Sequence, residues 1–242
     1  MKKIFAIAAS ALVLAAPAMS AQGNNQEEGP SSGDIAAYFA INFTTVGALP
    51  PLATNTLAGA GGIGWHLQYG RMNWGEDVNT NAIAGGVDLG LGSGRLSLTA
   101  GYHMTDFGAD IEGDSHLMIG TRYSQQLAGA ALNPTTRWAM GLEADLGFGF
   151  PEDVKAMVVG AGLPVKLTFG RNVKVSPFVT PGFGYGRLSA EGESESGTRF
   201  MVGAGLGLGL ANGVGVNFGM RKAFIEDGKA QYGLGVTIRP GK

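Results

Sequence analysis

The chain has 242 residues, of which 45% are hydrophobic and 15% charged, and its formal net charge is −2 at pH 7. The high hydrophobic content and low net charge argue against a chain that is kept disordered by repulsion between like charges. It also leaves no basic surface of the kind that binds nucleic acid, so no nucleic-acid partner is expected. The sequence contains no cysteine and therefore no disulfide framework. Its 42 glycines far exceed the average usage of about 7%.

The amino terminus has the features of a secretory signal peptide. Lys2 and Lys3 precede an apolar run over residues 4–16, and Ala18-Met19-Ser20 offers a small-x-small cleavage site, with Ala21 as the alternative. We expect residues 1–21 to be removed near Ser20–Ala21 during export. Elsewhere no apolar run approaches the roughly 18 residues of a membrane helix, so membrane insertion would have to use strands.

Two segments follow the signal peptide. Residues 22–34 are polar and rich in glycine and serine, which is typical of a mobile leader. Residues 35–52, IAAYFAINFTTVGALPPL, are too apolar for a solvated tail. They could form an inner plug, a short interfacial helix or an additional strand, and the sequence does not decide between these.

From Leu57 onward, apolar side chains occupy every second position, which is the period of a β-strand. In FMVGAGLGLGL, residues 200–210, they fall on even positions, and glycine occupies 203, 205, 207 and 209. The alternation predicts about ten strands, with eight or twelve as alternatives. They are centred on residues 63–69, 83–91, 96–104, 117–123, 138–148, 163–169, 173–185, 200–210, 214–220 and 232–238.

The predicted connections alternate in length, as they do in outer-membrane barrels with short periplasmic turns and longer outer loops. Tight turns are predicted at 92–94, 170–172 and 211–213, and longer links at 71–80, 106–114 and 189–197. The segment 126–135 is too long for its predicted periplasmic side, whereas 151–153 and 225–228 are short for outer loops. The arrangement indicates an all-β, closed, antiparallel up-and-down transmembrane barrel. The predicted domains are a signal peptide (1–21), a leader with the apolar segment (22–56) and the barrel (57–242).

The two faces of the predicted strands argue for lipid outside the barrel. A soluble sandwich would place Lys, Glu, Thr and Ser on its outer face, but here the face opposite the apolar one is mostly glycine. Such a face suits the interior of a small barrel, where bulky side chains from all strands cannot fit. The residues predicted to face lipid are Leu206, Leu208, Leu210, Val216, Phe218, Leu234 and Val236.

The same phases place charged side chains inside the barrel. Because both signs occur, these side chains could pair with one another in a salt-bridged interior, or they could line a conducting path. The predicted lumen charges are Asp88, Arg122, Glu143, Asp145, Lys166, Lys174, Arg199, Arg221 and Arg239.

Three motifs suggest other chemistry but lack its context. GAGGIG (59–64) matches a dinucleotide fingerprint, which needs a following helix, but a strand pattern follows it. In GDSHL (113–117), adjacent strand residues such as Ser115 and His116 point to opposite faces. A hydrolase remains the alternative function, using a histidine near the outer rim (His66, His103 or His116), for instance in a His116–Asp145 contact. Glu191, Glu193 and Glu195 are expected in a solvated loop rather than a cation site.

The segments SPFVTPGFGYGRLS, SGTRFMVGAGLGLGL and QYGLGVTIRP carry a resemblance over residues 57–239. With the signal peptide, they make the chain similar to the small outer-membrane β-barrel family, which includes the OmpA-type transmembrane domain. Such barrels usually end in an aromatic residue, whereas this chain ends in IRPGK.

The resemblance implies a monomer in the outer membrane of a Gram-negative bacterium, in contact with outer-membrane lipid and assembled by the barrel-insertion machinery. The expected function is that of a structural or small porin-like protein. No catalytic residue, enzymatic activity, cofactor or metal is predicted.

Overall fold

The computed structural model describes residues 31–42, 62–75, 78–106, 114–151, 154–190, 193–225 and 229–239. The predicted signal peptide and most of the leader lie outside these ranges. One helix, α1 (Ser32–Asn42), precedes the strands. Within the described ranges, no helix has the length and hydropathy needed to cross a membrane. The strands are β1 (Ile63–Gly75), β2 (Val78–Leu91), β3 (Gly94–Asp106), β4 (Asp114–Asn133), β5 (Thr136–Phe150), β6 (Val154–Gly162), β7 (Val165–Phe169), β8 (Val173–Ala190), β9 (Glu193–Leu210), β10 (Val214–Ala223) and β11 (Ala230–Ile238).

The strands close into one antiparallel barrel. Apart from β6 and β7, which do not pair with each other, each strand pairs with its neighbours in chain order, and β1 pairs with β11 to complete the ring. Strands β6 and β7 share one position between β5 and β8, lying end to end on either side of Leu163 and Pro164. Proline has no N–H to donate to the ladder, which accounts for the break at this point. The barrel therefore has ten strand positions, and the predicted closed up-and-down architecture is confirmed.

Several predicted links are strand in the structure. The segment 126–135 is not a long link, because β4 continues to Asn133 through a bulge between Gln126 and Ala128. Most of 71–80 and 189–197 is also paired, and 154–162 forms β6, which the sequence pattern missed. A ladder is made by backbone groups, so polar or small side chains at the strand ends do not stop it.

The barrel has two different ends. The tight-turn end carries the links 92–93, 134–135, 170–172 and 211–213, together with the start of β1 and the end of β11. Glycines with positive φ, such as Gly92 (60°) and Gly213 (84°), make these turns possible. The loop end carries the remaining links, of which 107–113 and 224–229 are the longest. In outer-membrane barrels the short turns face the periplasm, so we expect that orientation for the tight-turn end.

The apolar side chains lie on the outer face of the single sheet. Leu206 is 41% exposed and Phe218 is 57% exposed, and Leu208, Leu210 and Leu234 are exposed as well. Val216 and Val236 on the same face are half-buried. No second sheet covers these side chains within the described residues, as a soluble sandwich would require. Their contact with lipid stays a prediction.

Replacing Leu206 with arginine tests that prediction, because Leu206 lies near the middle of the outward apolar row of β9. A charge at the centre of a lipid-facing strand costs about 2–4 kcal/mol. We expect Leu206→Arg to lower the free energy of unfolding in lipid vesicles by that amount, measured by urea titration. The control Ala190→Arg, at the exposed loop end of β8 and opposite Glu193, should change it by less than about 0.5 kcal/mol. Equal effects would contradict a lipid-facing outer row.

Candidate functional site

Helix α1 forms because its segment is rich in alanine and apolar on most sides. Alanine has the highest intrinsic helix propensity, and a helix that is apolar all round is stable only when buried. The Asn42 side chain donates a hydrogen bond of 2.7 Å to the Tyr38 carbonyl oxygen in the last turn. Ala37, Ala40 and Ile41 are almost completely buried. The helix is therefore part of the core.

The helix lies against the inner face of β8 and β9, at inward-facing glycines. A Cβ atom at Gly186 would lie 2.6 Å from the Ala37 carbonyl oxygen and 2.9 Å from Ala37 Cα. A Cβ at Gly197 would lie 2.5 Å from the Gly33 carbonyl oxygen. Only glycine leaves room for a helix backbone to approach the sheet this closely. The unoccupied inner face thus accommodates α1.

The contacts of α1 extend across the loop end of the lumen. Ile41 and Tyr38 belong to one buried cluster with Met72 of β1, Val158 of β6 and Met201 of β9. Part of the apolar segment 35–52 is thus a helix inside the barrel, and residues 43–52 lie outside the described ranges.

A hydrogen bond also anchors α1. The Tyr38 hydroxyl accepts a hydrogen bond of 2.8 Å from the backbone N–H of Lys229. Burial raises the pKa of Tyr38 despite this contact, so the hydroxyl stays neutral at physiological pH.

Farther from the loop end than α1, four side chains of both charge types form a cluster. The Arg122 side chain contacts Asp145, its cross-strand partner, by a hydrogen-bonded ion pair. Arg122 Nε also lies 3.1 Å from Glu143 Oε1. Arg221 is close enough for its charge to act on both carboxylates. Arg122 therefore contacts both carboxylates in the middle of the lumen, and Arg221 adds a second cation to this cluster from β10.

A second polar group is centred on Asp88, towards the tight-turn end. Asp88 Oδ1 accepts a hydrogen bond of 2.6 Å from the Ser97 hydroxyl and lies 3.2 Å from His66 Nδ1. His66 Nε2 lies 3.0 Å from Thr99 Oγ1, and Arg95 Nη1 is 3.7 Å from Asp88 Oδ2. The Thr99 hydroxyl, the His66 imidazole and the Asp88 carboxylate are thus connected in that order. His66 is near the start of β1, not near the outer rim as predicted.

The other two histidines lie at the loop end. His103 and His116 are cross-strand neighbours whose rings stack with centroids 4.8 Å apart. The predicted His116–Asp145 contact is wrong, because Asp145 faces Arg122, six positions along β4. At about 3.3 Å per residue this places them about 20 Å apart.

The other motifs also lie in strand context. Ile63 and Gly64 open β1, so no helix follows the part of GAGGIG that is described. Glu193 and Glu195 are exposed in β9, and Glu191 lies outside the described ranges.

The remaining predicted lumen charges divide between two places. Arg199 is buried on β9 opposite Gly184. Lys166, Lys174 and Arg239 line a cavity of about 790 Å³ at the tight-turn end, which we call the basic vestibule. Arg95 is also buried on the inner face of β3 but was not predicted from the sequence. It lies two residues before Ser97 and therefore shares the inward phase of Ser97, which is the signal that could have identified it.

A family model describes the chain almost from end to end. The model of the outer membrane protein β-barrel domain matches residues 6–239. The chain belongs to this family. It is therefore an integral outer-membrane β-barrel protein. No curated protein sequence matches it.

Solved structures of similar architecture include autotransporter barrels. The transport unit of the autotransporter AIDA-I from Escherichia coli is 11% identical, with 89% of this chain and 100% of that chain covered and a TM-score of 0.48. The β domain of the Bordetella autotransporter BrkA is 15% identical over 74% of this chain and 99% of that one, with a TM-score of 0.46. The outer-membrane enzyme PagL is 14% identical over 72% of this chain and 98% of that one, with a TM-score of 0.39. Because all three scores are below 0.5, the family assignment rests on the sequence model.

The Arg122 cluster generates a stability prediction. Removing one partner of a buried ion pair leaves uncompensated charge and typically costs about 3–5 kcal/mol. We expect Arg122→Met to lower the free energy of unfolding by this amount, measured by urea titration of the refolded barrel. Arg187→Met is the matched control, because Arg187 is exposed and its guanidinium donates to Ser194 Oγ. A loss no larger than that of the control would show that the cluster adds nothing to stability.

Proposed function

We propose that this outer-membrane barrel is a monomeric structural protein whose lumen is closed, rather than an open porin. The observation that carries the proposal is the packing of α1 on Gly186 and Gly197. Hydrophobic burial holds the helix in place, since Ala37, Ala40 and Ile41 have almost no exposed surface. Outer-membrane lipid and, during assembly, the barrel-insertion machinery are the partners that this function needs.

The charge cluster below α1 supports the same proposal. Arg122 contacts Asp145 and Glu143 on the adjacent strand, and Arg221 adds a cation to them from β10. Side chains of opposite sign that neutralise one another leave little net field to draw ions through. The interior thus combines an apolar plug with a self-compensated polar layer.

We also propose that the protein is not an enzyme. The order Thr99–His66–Asp88 is the observation that favours the alternative, because a hydrolase needs a nucleophile, a base and an orienting carboxylate in series. His66, however, is only 5% exposed. Asp88 is shared with Ser97 and Arg95. Such sharing suits a network that satisfies buried polar groups.

Conductance across planar bilayers tests the closed lumen. We expect the wild type to be silent and Gly186→Leu to conduct, because a leucine side chain there displaces α1. Gly209→Leu is the matched control: it is also an inward glycine of the sheet, but its nearest neighbour is the Lys174 side chain, 3.7 Å from a Cβ. This control should stay silent.

Heat-modifiable gel migration verifies that both variants fold. Conductance of the wild type at the level of Gly186→Leu would overturn the closed-lumen proposal and favour a small porin.

Hydrolysis assays test the proposed absence of catalysis. We expect no hydrolysis of lipid or ester substrates by the purified barrel, or a background that His66→Ala, His103→Ala and His116→Ala leave unchanged. Activity that is lost in His66→Ala and Thr99→Ala, but kept in Thr99→Ser, would overturn the proposal. The serine variant keeps the hydroxyl next to the imidazole, so that pattern would identify a nucleophile.

A further inference from the structure

The basic vestibule lies at the tight-turn end of the lumen, whereas α1 packs at the loop end. Its volume of about 790 Å³ lies within the range of about 300–1,000 Å³ typical of small-molecule sites. Its walls come from the tight-turn ends of β4, β5, β7, β8, β9, β10 and β11, together with their turns. The cavity therefore lies at the end of the barrel that we expect to face the periplasm.

Cationic side chains dominate the lining of the vestibule. Five of them line it: Arg137, Lys166, Arg171, Lys174 and Arg239. None of the lining residues, all of which belong to the described ranges, is an aspartate or a glutamate. The charges of Arg239 and Lys174, and of Arg95 nearby, are close enough to act on Lys166. The charged side chains that line the cavity are therefore all basic.

The middle of the lumen differs from the vestibule because it contains charged side chains of both signs. There, Arg122 and Arg221 face two carboxylates. Towards the vestibule, Asp88 is the nearby carboxylate, and it is already engaged by Ser97, His66 and Arg95. Lys166 lines the vestibule although it is only 5% exposed. Like charges in a confined cavity repel one another, and a bound anion would offset that repulsion.

Neutral donors complete the lining. The Thr168 and Ser176 hydroxyls lie 3.1 Å apart, and both residues line the vestibule with Asn172. Guanidinium, ammonium and hydroxyl groups are the donors that bind phosphate oxygens in proteins. Several cations from different strands match an anion with more than one charged group better than a single small ion.

We propose that the basic vestibule binds a small multivalent oxyanion of the oligophosphate class, entering from the periplasmic end. The tight-turn end gives access, and α1 at the other end makes the site a dead end rather than a passage. The binding site does not depend on the closed lumen, because its residues lie on the opposite side of the charge cluster from α1.

Isothermal titration of the refolded full-length barrel with inorganic triphosphate tests the proposal. We expect saturable binding that is about tenfold tighter than that of orthophosphate, because the triphosphate contacts more cations. Lys166→Gln with Lys174→Gln should weaken binding by about tenfold or more. Raising the salt from about 0.05 M to about 0.5 M should weaken wild-type binding, since salt screens these contacts.

The matched control removes two cations away from the vestibule. Lys155→Gln with Arg187→Gln lowers the net charge equally, but both residues are exposed towards the loop end of β6 and β8. This variant should bind triphosphate as the wild type does. Equal weakening by both double variants would show that only the net charge of the protein matters, which would overturn the proposal. An absence of saturable binding to the wild type would also overturn it. Heat-modifiable migration confirms folding of each variant.

Discussion

The requirement that every backbone N–H and C=O be paired inside hydrocarbon governs this structure. A sheet in lipid has no water at its edges, so it must close on itself. The pairing of β1 with β11 meets that requirement, and the ladder is maintained even where the sixth position is split. There, Leu163 N–H donates to the Pro181 carbonyl and Gly141 N–H donates to the Pro164 carbonyl. The break caused by proline therefore leaves these backbone groups paired.

Closure of so few strands creates a narrow interior, and the contents of that interior follow from its width. Glycine on the inner face leaves space that a helix can occupy, and α1 occupies it at the loop end by direct backbone contact at Gly186. Farther along, long charged side chains reach across adjacent strands, as Arg122 does to Glu143. The interior contains the packed helix α1 at the loop end, the Arg122 cluster in the middle and the basic vestibule at the tight-turn end. Each layer matches a different kind of occupant: a helix, paired side chains and an external anion.

Charged side chains are distributed unevenly along the barrel, and the net charge of the chain does not show this. The whole chain is slightly acidic, with a formal net charge of −2, yet the vestibule lining is cationic. The local charge of the lumen therefore depends on which end of the barrel each side chain occupies, and the amino-acid composition does not give this information.

Alternation with period two, together with the lengths of the links, predicted from the sequence an antiparallel barrel of about ten strands, and its phase predicted Asp88 on the inner face and Leu206 on the outer face. This is because side-chain direction in a strand is a local property of the backbone. The lengths of β4 and β6 were not determined, because ladder bonds form between backbones whatever the side chains. Only the tertiary structure decided that residues 35–42 form a helix inside the barrel, that His116 lies far from Asp145 and that Lys166, Lys174 and Arg239 share a cavity. These outcomes depend on register, closure and the volume left inside, which arise only when distant segments of the chain meet.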